Sequence, residues 1–143
     1  MASTAEHPDG DEPNADGIDI DACQRVVVEN SFFSVTDDAI CVKSGLDWFG
    51  RKYGRPSRDI IVRNCEIAAG AGPTIGSEMS GGVYNVTFED ILLGSEELGI
   101  TLKTARGRGG EVRGIVYRRI RYVVYNVFET MYNTFVRTLG VGL

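Results

Sequence analysis

Residues 14–45 read NADGIDIDACQRVVVENSFFSVTDDAICVKSG. Asp16 lies in a glycine-containing turn, a strand-like run follows, and the adjacent acids Asp37 and Asp38 open a second run. Apolar and polar residues alternate through both, the period of a half-buried strand. The cadence returns downstream. QRVVVENSFF at 24–33 is echoed by RDIIVRNCEI at 58–67, YNVTFEDILL at 84–93 and RGIVYRRIRY at 113–122. The marker positions Asn30, Asn64, Asp90 and Arg119 are 34, 26 and 29 residues apart. A second series interleaves with the first: IDIDA at 18–22, ICVKS at 40–44, PTIGS at 73–77 and ITLKT at 100–104.

Two strand series recurring every 22–34 residues describe a solenoid, and units without a helix describe a right-handed parallel β-helix. The expected fold class is therefore all-β, with about four to five coils. Eighteen glycines suit tight corners between strands. An antiparallel sandwich would need hairpin loops of about two to five residues, and most connections here are longer. Ile40, Val42, Ile75, Ile100 and Leu102 should point inward in stacks.

At 143 residues and 43% hydrophobic content the chain suits one globular unit. Residues 1–13, MASTAEHPDGDEP, read as a disordered lead-in that includes the one histidine, His7. Residues 14–122 form the expected β-helix, and 123–143 leave the repeat as an off-pattern tail. No end cap and no secretory h-region is visible, so the isolated chain should aggregate through exposed strand edges, although a folded copy should be a monomer. Cys23, Cys41 and Cys65 fit small buried hydrophobes, with no metal spacing. The charge of −5 is uneven: residues 1–21 hold seven acids and no Lys or Arg, whereas eight basic residues follow Gly99. Such a basic half suits a polyanion or simply a solvated face. A single Arg-Gly-Arg-Gly-Gly at 106–110 is too little for nucleic acid recognition, and no membrane-length apolar run exists.

Aligning the second series places Asp16 six residues before Ala22 and Asp38 six before Ser44. Ala71 and Leu98 hold the same place before Ser77 and Thr104. Stacked coils lie ~4.8 Å apart, so Asp16, Asp37 and Asp38 should share one face. Crowded carboxylates repel, and at least one should hold a proton near neutrality. An acid would then stand beside a base.

Four motifs follow in order: N-x-D-G-I-D-I-D, D-D-A-I-x-V-K-S-G, G-x-G-x-x-I-G-S-E-M-S-G-G and L-K-T-x-R-G-R-G-G. Together they resemble glycoside hydrolase family 28, the polygalacturonases and their relatives, from about Asn14 to about Arg121. The resemblance implies a right-handed parallel β-helix and a fragment of a longer, secreted or cell-wall pectin hydrolase that needs no cofactor or metal. Asp37 matches the general acid, and Asp16 and Asp38 match the carboxylates that activate water. Lys103 matches the lysine that binds the uronate carboxylate of an acidic polysaccharide. Lys43, one coil away, is a candidate to extend that cationic strip. Inversion at the anomeric carbon is implied, with a wide carboxylate separation.

Three positions depart from the family pattern. Ala71 stands where Gly-His-Gly has its histidine, Thr101 where Arg-x-Lys has its arginine, and Thr36 where a glycine precedes the acid pair. They put efficient catalysis in doubt. A catalytically weak β-helix that binds acidic polysaccharide, a truncated gene product, and a Ca²⁺-dependent polysaccharide lyase are the competing readings.

Overall fold

The computed structural model describes residues 15–94 and 99–123, together with the backbone of Phe135–Leu139. Its strands are β1 (Ile18–Asp21), β2 (Gln24–Glu29), β3 (Phe32–Lys43), β4 (Ser57–Ile75), β5 (Val83–Leu93), β6 (Thr101–Leu102), β7 (Val112–Tyr122) and β8 (Phe135–Leu139), with a helix α1 (Asp47–Tyr53) between β3 and β4. The pairs among β1 to β7 are all parallel, and β8 alone runs antiparallel, against β7. Parallel pairing through successive turns makes a β-helix.

The two sequence series are two faces of that helix. Gln24 pairs with Arg58, Arg58 with Tyr84, and Tyr84 with Arg113, the offsets of the first series. Ile20 pairs with Val42, Val42 with Ile75, and Ile75 with Leu102, the offsets of the second. A third, short face begins after the marker residues: Phe33, Ile67, Leu93 and Tyr122 stack there. The markers are corners. Asn30, Asn64, Asp90 and Arg119 have φ of 53°, 55°, 54° and 54°, a left-handed conformation that, glycine aside, Asn and Asp tolerate best. Asn64 Nδ2 donates to Asn30 Oδ1 at 2.7 Å, and Arg119 grips both oxygens of Asp90 at 2.6 and 2.7 Å. Side chains laddered from coil to coil thus offset the strain of their own corners.

Inside, equivalent residues stack on one another. Val62, Phe88 and Tyr117 form one column, with the Phe88 and Tyr117 rings parallel at 4.9 Å. Ile40, Val42 and Ile75 are fully buried, and Ile100 packs against the core. Leu102 departs from expectation: it is 42% exposed. It ends the column begun by Ile20, and β6 pairs with β4 alone, so among the described residues no further coil covers it. Cys23 is also exposed, its thiol directed at the Asp21 carbonyl, whereas Cys41 and Cys65 are buried. The lead-in 1–13, with His7, lies outside the described residues, as do Leu98 and most of the tail.

Candidate active site

The turn between Phe33 and Asp38 does more than connect two faces. Its register against β4 shifts twice, between Phe33 and Ser34 and again before Asp38. Residues 35–37 are opposed by one residue, Gly70, and such a bulge re-aims side chains. Two adjacent carboxylates, which a regular strand would send to opposite faces, converge here. Gly70 makes the room. Its φ is +94°, and a Cβ there would lie 2.5 Å from the Asp37 carbonyl oxygen. Gly17 serves the coil on the other side, where a Cβ would meet the Ala39 carbonyl at 2.3 Å and its own N–H donates to Asp38 O at 2.9 Å.

Asp16, Asp37 and Asp38 each bring a carboxylate oxygen within 4.8 Å of the other two. Asp38 is the most enclosed. Its Oδ2 accepts from Lys103 Nζ at 2.6 Å, and the fully buried Thr74 hydroxyl lies 3.0 Å from its Oδ1. Asp37 Oδ1 accepts the Asp38 backbone N–H at 2.7 Å, which fixes the acid pair locally. Lys103 keeps about a third of its side chain exposed and can reach a ligand. Lys43 is differently placed: its ammonium sits 2.9 Å from both Asp16 and Asp19. Of the two expected cations, Lys103 is about a third exposed and bonded to Asp38, and Lys43 is held by two carboxylates.

Charges respond to these contacts. Burial alone would raise Asp16, but the hydrogen bond and charge of Lys43, with Asp19 and Lys103 adding, lower it below the ordinary carboxylate value. Asp19 is raised, by burial and by the neighbouring Asp16 charge against the pull of Lys43. The crowded carboxyl with the upward shift is thus Asp19, which the sequence reading did not single out. Lys103 is raised, because the hydrogen bond and charge of Asp38 and the charge of Asp37 outweigh its burial. Lys43 is raised for the same kind of reason, by Asp16 and Asp19.

Asp19 and Thr74 were legible in principle. Both fall in register with Cys41, between the residues of the site. The departures also find their places: Ala71 pairs with Asp38, and Thr101 pairs with Thr74.

The family model for "Glycosyl hydrolases family 28" matches residues 2–129. This chain belongs to glycoside hydrolase family 28. It is 42% identical over 108 residues to a probable polygalacturonase of Vitis vinifera, covering 74% of this chain and 22% of that one. An endo-polygalacturonase of Pectobacterium carotovorum subsp. carotovorum is 32% identical over 107 residues, covering 75% and 25% respectively. Among solved structures, a hyperthermoactive exopolygalacturonase from Thermotoga maritima matches with a TM-score of 0.66 and 36% identity, over 77% of this chain and 28% of that one. The chain thus spans about a quarter of the length of these family 28 relatives. Its fold is the right-handed parallel β-helix.

Proposed function

We propose that this chain carries the catalytic carboxylates of a polygalacturonase, a hydrolase of α-linked galacturonan in pectin that acts outside the cell or in the cell wall. The observation that carries the reading is the convergence of three family-motif carboxylates beside Lys103, which is bonded to Asp38 and about a third exposed. Asp37, the more exposed member of the adjacent pair, donates its proton to the glycosidic oxygen as the C–O bond breaks. Asp16 and Asp38 hold the attacking water. A water bonded to two oxygens at ~2.8 Å each can bridge at most ~5.6 Å, so the short spacing suits a shared water. That water adds to the anomeric carbon and passes a proton to one of the two carboxylates. Lys103 turns from Asp38 to the uronate carboxylate, a point charge meeting a point charge. Lys43 is a positioning residue: it holds Asp16 ionised and in place, and Asp19 holds Lys43.

Family membership supports inversion, which the configuration of the first-formed product tests. Proton NMR of polygalacturonate during hydrolysis should show β-configured reducing ends first, before mutarotation. First-formed α ends would mean retention, with one carboxylate acting as nucleophile. Ala71 and Thr101 favour the second reading, a weakly catalytic polysaccharide-binding β-helix. Binding of polygalacturonate without release of reducing ends would select it.

A further inference from the structure

Four of the eight large hydrophobic side chains exposed among the described residues fall in one short segment: Leu46, Trp48, Phe49 and Tyr53. Trp48 and Phe49 are 54% and 76% exposed and meet edge to face with centroids 5.0 Å apart. Concentrated apolar exposure of this kind marks a binding surface more often than a free one. The segment is also firmly seated. Gly50 lies so close to Gly45 that a Cβ would stand 2.6 Å from its carbonyl carbon. Arg51 donates to the carbonyls of Gly107 and Arg108 at 3.0 and 2.8 Å, and Arg108 lies 3.5 Å from Asp47.

Its position and charge say what it faces. The helix starts four residues after Lys43 and is clamped to the loop that leaves β6 after Lys103, so it flanks the strands carrying the site. Residues 46–55 and 105–110 hold Arg51, Lys52, Arg55, Arg106 and Arg108 against Asp47. Lys52 Nζ lies 4.6 Å from the Trp48 ring centroid, and Arg55 reaches the Tyr53 hydroxyl at 3.5 Å. Aromatic faces beside cations match a chain of sugar rings with apolar C–H faces and one carboxylate each.

We propose that α1 is a second contact surface for the anionic polysaccharide, outside the carboxylate site. Trp48 and Phe49 pack on uronate rings, and Lys52, Arg55 and Arg106 pair with their carboxylates. This rests on the galacturonan reading above. It would extend the grip on a polymer without touching the reacting atoms.

Trp48 is the one tryptophan of the chain, so its emission reports on this surface. Polygalacturonate should change that emission saturably in the full chain, and uncharged dextran of similar length should not. Lys52→Glu should weaken the response about tenfold, and Phe49→Ala should weaken it as well. Both should raise KM on the polymer more than on a galacturonate trimer, which offers fewer rings to a second surface. The proposal is overturned if polygalacturonate is hydrolysed but Trp48 emission and both variants show no effect. In that case the reading of the carboxylate site stands. A chain that neither binds nor hydrolyses the polymer overturns both. Emission that changes with protein concentration alone, also when strand-edge association is blocked by Val27→Lys, would assign the surface to a second copy and overturn the polysaccharide proposal.

Discussion

Lys43 has its ammonium between Asp16 and Asp19, and this arrangement has a pH signature. The folded value of Asp16 is depressed, so its contribution to stability is present above the unfolded carboxylate value and lost as pH falls through the folded one. Lys43 is raised, so its contribution is present below its ordinary value of 10.5 and lost as pH rises through the folded one. Lys43→Met should therefore lower the melting temperature most between about pH 4 and pH 10. It should also move the acid limb of the pH–rate profile upward, because Asp16 would ionise later without the cation. An unshifted limb would show that Lys43 does not tune Asp16. At the neighbouring departures, Ala71→His with Thr101→Arg should raise reducing-sugar release from polygalacturonate more than either change alone. A lost transition-state donor costs roughly 10²–10³ in rate, so the gain should be plain. If the unaltered chain already turns over at ordinary enzyme rates, Ala71 and Thr101 do no damage.

The bulge at residues 35–37 and the columns beneath it set the site at the level of elements. Gly70→Ala should destabilise by more than about 1 kcal/mol, since its positive φ and the nearby Asp37 carbonyl both oppose a side chain. Ile75→Ala should cost ~2–5 kcal/mol by leaving a cavity. Ile75 is fully buried and in register with Val42 and Leu102, which continue into Lys43 and Lys103, so activity should fall with stability. Urea unfolding of each variant measures the first effect, and a loss below about 0.5 kcal/mol would contradict the packing described. The columns were legible because Ile40, Val42 and Ile75 recur at the series offsets. Helix α1 was not. Seven residues are too few for a 3.6-residue period to emerge, and Leu46 at its start caps it with no side-chain bond. Leu102 misled for a different reason: alternation reports which way a side chain points, and cannot report whether another coil covers it.

The coils form, among the described residues, a stack with β1 and β2 at its outer edge. Among the described residues β1 pairs only with β3 and β2 only with β4, leaving one edge of each open to another chain. Sedimentation should show association that rises with protein concentration. Val27, 55% exposed on β2, is the place to block it: Val27→Lys should reduce association without altering the melting temperature. A wild-type chain that stays monomeric at high concentration would show that these edges are protected. The two strand series and the stacking of Asp16 beside Asp38 follow from spacings visible in the sequence, whereas the third, short face and the bulge that brings Asp37 in do not. The ion-pair network does not either, because it depends on which lysine a bulged turn brings to which carboxylate.

The central claim is that Asp37 supplies the proton for hydrolysis of galacturonan at this site. Reducing-end release from polygalacturonate, compared between the chain and its Asp37→Asn variant at equal folded concentration, tests it most directly. The chain should release reducing ends, and the variant should lose on the order of 10²–10⁴ in rate, the usual worth of a positioned general acid. Equal rates in the two proteins, or no release from either one while both remain folded, would contradict it.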